Sequence, residues 1–188
     1  MTSNGSARIM GAEAEFLWVP TRAFRANLNL SYLDTRIDNF LTVDAANPAQ
    51  ANPNMPPVVT TPAVTINLRG NELPHAPRFK VNAGAQYTLA LGGTGWNATL
   101  RGDYTRQGKY FSREFNTPND RIQSWSLVNA LLRFDAPGDR YGIELWVKNL
   151  GDKANITNSI IEDAQVGSYR NVRVLEPRTY GITARASF

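Results

Sequence analysis

The side chains best suited to acid–base or metal chemistry are few and scattered in this sequence. His75 is the only histidine, and there is no cysteine. No cluster of imidazoles or thiolates exists to bind a transition metal, and the serines have no recognisable His and Asp partners, which argues against a hydrolase. The sequence therefore predicts no catalytic residues, no metal site and no cofactor, and we expect a protein that is not an enzyme.

The remaining polar motifs also have ordinary explanations. Two acidic stretches, 34–39 and 44–54, offer oxygen atoms but lack the spaced ligands, central Gly and terminal Glu of the common calcium loop. "GGTG" at 92–95 has no following Lys or helix, so a hairpin turn is favoured over a phosphate cradle. Glu13 and Glu15 would point the same way on a strand, where they are expected to line a polar wall.

The composition excludes several broad classes of protein. Hydrophobic residues make up 42% of the 188 residues and charged residues 19%, which is unlike a disordered chain. No run of 18 apolar residues is present, and the first thirty residues do not read as a signal peptide. The net charge of +4 is spread along the chain, which gives no support to nucleic acid as a partner.

Apolar and polar residues alternate in several stretches of about ten residues. At the end of the chain, polar residues separate the apolar set Tyr180, Ile182, Ala184, Ala186 and Phe188. The same alternation occurs in 24–32, 79–89 and 96–104. A period of two is typical of strands whose two faces meet different surroundings.

These patterns predict an all-β protein, an antiparallel up-and-down meander of about seven long strands. The predicted strands are 7–19, 23–39, 79–90, 96–107, 122–134, 141–150 and 177–188. Short turns rich in Pro and Gly alternate with long connections, which we place at 40–78, 108–121 and 151–176. Both faces of 122–134 are mixed, so the alternation does not predict which way that strand faces.

The strand length and the charges favour a transmembrane barrel over a soluble sheet. Strands of 9–11 residues match the length that crosses a bilayer, and nine charged residues gather on the polar faces: Arg25, Lys80, Arg101, Lys148, Arg185, Glu13, Glu15, Asp103 and Glu144. Aromatic residues flank the short turns, as expected at a membrane interface: Trp18, Phe24, Trp96, Phe134, Tyr141 and Phe188. A soluble all-β binding module remains the alternative.

Four segments resemble successive parts of the carboxy-terminal barrel of TonB-dependent outer-membrane receptors. They are "NGSARIMGAEAEFLWVP" (4–20), "LPHAPRFKVNAGAQY" (73–87), "LWVKNLGDKANI" (145–156) and "EPRTYGITARASF" (176–188). The resemblance implies that the alternating end, Tyr180, Ile182, Ala184, Ala186 and Phe188, is the signal that the barrel-assembly machinery reads. It also implies that "NLGD" at 149–152 forms the turn into the last outer loop.

The resemblance further implies uptake of a scarce, bulky nutrient, such as a siderophore–iron complex, a cobalamin or an oligosaccharide. The implied location is the outer membrane, with membrane lipid, the assembly machinery, the TonB complex and a bulky ligand as partners. Aromatic and arginine side chains of the long loops are the expected ligand contacts: Tyr110, Phe111, Arg113, Tyr169, Arg170 and Arg173.

Two departures from the family pattern shape the expected domain organisation. No segment resembles the plug, the TonB-contacting box or a signal peptide, and seven strands is an odd number for a bacterial barrel. We therefore expect residues 1–188 to be the C-terminal portion of a receptor barrel, with TonB contacted through the missing N-terminal part. The alternative is a small stand-alone outer-membrane porin or structural barrel.

Overall fold

The computed structural model describes residues 5–46 and 65–187, and within them the chain is almost entirely β-structure. In chain order the strands are β1 (Ser6–Trp18), β2 (Phe24–Asn39), β3 (Leu41–Thr42), β4 (Ile66–Asn67), β5 (Phe79–Ala90), β6 (Asn97–Gln107), β7 (Tyr110–Phe111), β8 (Arg121–Ile122), β9 (Trp125–Asp135), β10 (Tyr141–Lys148), β11 (Ile156–Ile161), β12 (Arg170–Val174) and β13 (Thr179–Ala186). No helix in these two ranges is long and apolar enough to cross a membrane.

The predicted meander of seven long strands is confirmed. They form one antiparallel sheet in the order β1-β2-β5-β6-β9-β10-β13, so every strand pairs with its neighbours along the meander. Most bounds differ from the prediction by one or two residues. The fifth strand begins at Trp125 rather than 122 because Ile122 belongs to a separate small hairpin, and Phe188 lies outside the described residues.

The long connections contain small hairpins that the sequence did not predict. Among the described residues, β3 pairs with β4, β7 with β8 and β11 with β12. Strands of two residues carry no alternation, and β11 and β12 mix apolar and polar residues without a period of two. Their existence depends on contacts with neighbouring loops rather than on a pattern in the sequence.

The register of the sheet separates an apolar face from a polar face. One cross-strand row runs through Phe16, Leu28, Ala83, Tyr104 and Val128, and its members lie directly opposite one another. Since side chains alternate along a strand, the residues one position away lie on the opposite face. Beyond Leu17 of β1, that second row holds no large apolar side chain: Asn27, Gly84, Asp103 and Asn129.

The register also orients β9, which the sequence left open. Leu132 lies opposite Leu100 on one side and Leu145 on the other, so it belongs to the apolar face. Leu131 lies opposite Arg101 and Trp146 and therefore belongs to the polar face. The apolar residues of β9 that face the polar side explain why its own alternation is weak.

The apolar face is not covered by any other part of the described chain. Leu100 is 59% exposed and Ile182 is 73% exposed. The most deeply buried apolar side chains lie instead at the loop end of the sheet, where Ile122 is 0% and Leu68 is 2% exposed. The sheet thus presents a broad apolar surface, and the packed core lies among the long connections.

Aromatic pairs mark both ends of the apolar face. Trp18 packs edge-on against Phe24 at the short-turn end, with ring centroids 5.5 Å apart. Tyr32 packs against Phe79 at the long-loop end, at 5.0 Å. Phe24 and Tyr32 are about 27 Å apart along β2 at the usual rise per residue. For a strand tilted by about 40°, this corresponds to about 20 Å of membrane depth.

Candidate functional site: the polar wall and the loop cluster

On the polar face of the sheet, ion pairs form between residues that are two positions apart on the same strand. Arg101 Nε donates to Asp103 Oδ2 at 2.9 Å on β6. Gly84 lies opposite Asp103, and a Cβ atom there would lie only 2.6 Å from Asn27 Oδ1 and 2.9 Å from Asp103 Oδ1. A larger residue at this position would make the ends of the Asn27 and Asp103 side chains move, because they occupy the space above the glycine.

Two further glycines make room for large side chains on the same wall. Asp135 accepts hydrogen bonds from Arg133 Nε at 2.8 Å and Arg185 Nη2 at 3.2 Å, directly over Gly142. A Cβ atom at Gly181 would lie 2.5 Å from the Trp146 ring. Since glycine leaves this space open, the indole lies over Gly181, and its Nε1 donates to Thr183 Oγ1 at 3.2 Å.

The predicted acidic pair lies on this wall. Glu13, Glu15 and Lys80 line a cleft of about 360 Å³ on the polar face, and His75 lies at its loop end. Ser31 Oγ donates to Glu13 Oε1 at 3.4 Å. The arrangement is that of a hydrated, charged wall, as the sequence predicted for Glu13 and Glu15.

The described parts of the long connections 40–78, 108–121 and 151–176 pack together, and we call them the loop cluster. One arginine between two buried carboxylates lies within it. Arg113 Nε donates to Asp120 Oδ1 at 2.6 Å, and its Nη1 donates to Asp44 Oδ1 at 2.7 Å. Asp120 is 0% exposed and Asp44 is 1% exposed. Burial by itself lowers the pKa of Arg113, but the hydrogen bonds that it donates to the two carboxylates outweigh burial and raise that pKa. We call Asp44, Arg113 and Asp120 the loop clamp.

The loop clamp joins two of the long connections, 40–78 and 108–121, and further hydrogen bonds attach the third. Asp120 Oδ2 also accepts hydrogen bonds from the backbone N–H and hydroxyl of Thr117, at 3.0 and 2.8 Å. The Ser112 and Ser159 hydroxyls are 2.9 Å apart, and the Tyr110 hydroxyl donates to the Thr157 carbonyl oxygen. Buried polar groups that are fully paired make a rigid, specific contact, so these loops form one body.

The predicted turn motif at 149–152 closes the last long connection. Asn149 is buried, and its Nδ2 donates to the Glu176 carbonyl oxygen at 2.8 Å while its Oδ1 accepts from Lys153 N at 3.1 Å. Asp152 Oδ1 accepts from Arg178 N at 2.9 Å. Both motif residues have positive φ, 49°, which Asn and Asp tolerate better than most residues.

The six predicted ligand contacts do not lie in one place. Tyr110, 4% exposed, and Arg113 have their polar groups engaged inside the loop cluster, and Phe111 lies beneath the Arg121 guanidinium at 5.6 Å. Tyr169, 54% exposed, lies just before β12, and Arg170 and Arg173 are exposed on that strand. The role of these residues in ligand binding stays a prediction.

Sequence reasoning missed both carboxylates of the loop clamp. Asp120 did carry a signal, because "TPND" at 117–120 has Thr followed three residues later by an acid, the pattern of a capping box. Asp44 carried none, since its partner Arg113 is 69 residues away in the sequence.

The predicted assembly signal lies on the edge strand. Tyr180, Ile182 and Ala184 share the apolar face of β13, opposite Val147, Leu145 and Ile143 of β10. Ala186 continues the set, and Phe188 lies outside the described residues. Recognition of this strand by an assembly machine stays a prediction.

A comparison with protein families decides what kind of sheet this is. Residues 1–150 match the model of the TonB dependent receptor-like, beta-barrel family. The chain belongs to this family. The resemblance seen in the sequence is thereby confirmed, and the fold is that of a segment of an outer-membrane barrel. In such barrels the apolar face meets lipid and the polar face lines the lumen.

Solved structures share the fold at low sequence identity. The ferric yersiniabactin uptake receptor FyuA from Yersinia pestis superposes with a TM-score of 0.73 at 20% identity, over 98% of this chain and 24% of that one. The siderophore receptor PiuA from Acinetobacter baumannii gives 0.67 at 16%, over 96% and 22%. BauA, the ferric preacinetobactin receptor of the same species, gives 0.63 at 17%, over 97% and 22%. The chain thus spans less than a quarter of each.

Proposed function

We propose that this chain is the C-terminal portion of the barrel of an outer-membrane receptor that takes up a bulky iron chelate. The observation that carries the proposal is that a two-faced sheet ends in a rigid cluster of long loops. A lipid-facing wall with a polar lumen supplies a path, and a preformed loop cluster supplies a place for capture. The similar receptors described above are named as receptors of siderophores or ferric chelates, which favours iron over cobalamin or oligosaccharide.

The wall would contribute a hydrated surface rather than a binding pocket. Arg101, Asp103 and Arg133 are already paired with neighbours on the polar face. Pairing leaves these three side chains little free charge with which to hold an ionic ligand. We propose that energy from TonB acts through other parts of the receptor, while this wall stays rigid.

Ligand capture would fall to the exposed part of the loop cluster. The hairpin of β11 and β12 carries Arg170 and Arg173, with Tyr169 beside it. Arginine forms forked hydrogen bonds to anionic oxygens, and an exposed tyrosine ring stacks on flat ligands. Chelates built from catechol, phenol or carboxylate groups offer both kinds of contact.

Uptake of labelled nutrients by living cells tests this function. A strain that lacks the gene is complemented with the wild-type gene, and iron-55 chelates of the catecholate, phenolate and hydroxamate types are compared with labelled cobalamin and a maltooligosaccharide. We expect energy-dependent uptake of at least one ferric chelate. Uptake of only cobalamin or sugar would refute the iron proposal, and uptake that persists without energy would favour a porin.

The capture role of the hairpin has its own test. The variant Y169A/R170A/R173A is expected to raise the half-saturating chelate concentration about tenfold or more, because two charge-assisted contacts and one stacking contact are lost. The matched control R22A removes a positive charge from an exposed short turn at the other end of the sheet. Equal affinity of the triple variant and the control would contradict the role proposed for Tyr169, Arg170 and Arg173.

A further inference from the structure

Two arginines face each other on the outward side of the sheet. Arg8 of β1 lies directly opposite Arg36 of β2. Both continue the alternating set that contains Ala12 and Tyr32, so they lie on the lipid-facing side, beyond its apolar band. Like charges directly opposite each other in a sheet are destabilising, and such a pair is expected only where something compensates it.

A third arginine is held beside this pair by backbone hydrogen bonds. Ile37 N donates to the Asn71 carbonyl oxygen, and Gly70 N donates to the Ile37 carbonyl oxygen, both at 2.8 Å. These bonds fasten the 68–71 turn to the end of β2. Arg8, Arg36 and Arg69 therefore line one cleft of about 510 Å³, with Asp38 as its acidic member. We call these four residues the outer arginine cleft.

The cleft carries more positive charge than it neutralises. Within the described parts of the chain, Arg8, Arg36 and Arg69 have no carboxylate within 4.0 Å, although Asp38 lies in the same cleft. Arg78, close by on the same surface, is different: it pairs with Glu72 at 3.0 Å and with Asp34 at 3.7 Å. The three cleft arginines leave a net charge of about +2 that is available to an anion.

The position of the cleft along β2, relative to the aromatic pair of Tyr32 and Phe79, indicates the source of the anion. Arg36 is four residues beyond Tyr32, or about 13 Å along β2. Tyr32 and Phe79 form the aromatic pair at the long-loop end of the apolar band. A group just outside the aromatic belt lies at the level of the lipid headgroups.

We propose that the outer arginine cleft binds the phosphate of a lipid in the outer leaflet. Guanidinium groups form forked hydrogen bonds to phosphate oxygens, so three of them can surround one phosphate monoester. The acyl chains of the same lipid then lie on the apolar face below, along Met10 and Tyr32. The inference rests on the proposed outer-membrane location but not on the nature of the transported ligand.

Lipid retention by the purified protein tests the proposal. The complete gene product is placed in nanodiscs of dioleoyl phosphatidylcholine that contain a few per cent of dioleoyl phosphatidic acid, and bound lipids are counted by native mass spectrometry. We expect R36Q to lower phosphatidic acid retention about tenfold, since one charge-assisted contact is lost. R25Q, on the lumen face of the same strand, is the matched control and is expected to retain the lipid like the wild type.

The acidic member of the cleft allows a test in the opposite direction. D38N removes the negative charge beside the arginines and is expected to raise retention several-fold. Equal retention by the wild type, R36Q and D38N would overturn the proposal. Inorganic phosphate at millimolar concentration is the second probe: displacement of the lipid by it would show a site for free phosphate and would overturn the lipid as the source.

Failure of this proposal and failure of the proposed uptake function can be told apart. Lipid retention is measured without any transported ligand, and chelate uptake is measured in cells that express R36Q. Normal retention with no chelate uptake refutes only the uptake function. Chelate uptake in the wild type with no preference for phosphatidic acid refutes only the lipid site.

Discussion

The sheet and the loop cluster of this chain differ in what they bury, because only the loops enclose both apolar side chains such as Ile122 and paired charges. The seven long strands leave large apolar side chains such as Leu100 and Ile182 uncovered, while the loops bury the charged groups of Asp44 and Asp120. In an ordinary soluble domain the apolar groups are inside and the charges outside. This difference from a soluble domain follows from the surroundings. Lipid covers the apolar face of the sheet, whereas the loops stand in water and need paired charges to hold together.

The first prediction concerns a variant that breaks the loop clamp, and it should have the largest effect. Removal of one partner from a buried ion pair costs about 3–5 kcal/mol, because the remaining charges are left unpaired. Arg113→Met leaves Asp44 and Asp120 buried together, so we expect rapid proteolysis of the loops at 108–124 by chymotrypsin, whose aromatic cleavage sites the variant leaves intact. The barrel should keep its compact, heat-modifiable mobility in gels, since the sheet does not depend on the clamp.

Two controls separate the charge effect from a general loss of packing. Arg121→Met changes an exposed arginine of the same loop and is expected to leave the cleavage rate unchanged. The triple variant D44N/R113M/D120N removes all three charges and should recover part of the protection. Resistance of R113M equal to that of wild type would contradict the role of the clamp.

The second prediction tests which face of the sheet meets lipid. Leu132→Arg places a charge on the apolar face and is expected to destabilise the folded barrel by about 2–4 kcal/mol in bilayers. Leu131→Arg, one residue away on the lumen face, should cost less than about 1 kcal/mol because water reaches it. Urea unfolding in lipid vesicles measures both, and equal destabilisation would show that the orientation assigned to β9 is wrong.

The third prediction concerns the packing on the lumen face. A side chain at Gly181 would collide with the Trp146 ring, so Gly181→Val is expected to cost about 1–3 kcal/mol. A Cβ atom at Gly102 would have no neighbour within 4 Å, so Gly102→Val is the control and should be nearly neutral. Tryptophan fluorescence during unfolding reports both changes. The double variant W146A/G181V should be less destabilised than the sum of its parts.

The smallest expected effect lies on the exposed surface at the loop end. Arg78 pairs with Glu72 and Asp34, but its side chain is 51% exposed. Exposed ion pairs contribute about 0–1 kcal/mol, so Arg78→Gln should change unfolding in urea by less than that amount. Comparison with R113M on the same end of the molecule then isolates the effect of burial, and a larger loss for Arg78→Gln would contradict it.

The long strands were predictable because their pattern is local. All of the predicted strands except 122–134 carry their own alternation, and a period of two requires no knowledge of the neighbouring strands. The aromatic residues beside the short turns were predictable for the same reason, since Trp18 and Phe24 stand at the ends of alternating runs. A weakly patterned strand such as β9 was located but not oriented, because its lumen face holds Leu127 and Leu131.

The functional contacts were much less predictable than the wall. The sequence indicated Arg113 as a loop residue of interest, but only the structure shows that two carboxylates hold it. Of the residues proposed from the sequence as ligand contacts, Tyr169, Arg170 and Arg173 are exposed, while Tyr110 is buried. Exposure in a loop depends on how the loops pack against one another, and no local pattern encodes that packing.

The sequence by itself determined that this chain forms long two-faced strands, which short turns and long connections join into a meander. Only the tertiary structure decided the register, the orientation of β9, the loop clamp and the outer arginine cleft. The physical reason is the range of the interactions. Alternation and turn preferences act between residues that are neighbours in the sequence. The contacts of Asp44 with Arg113 and of Arg8 with Arg36 join residues that only folding brings together.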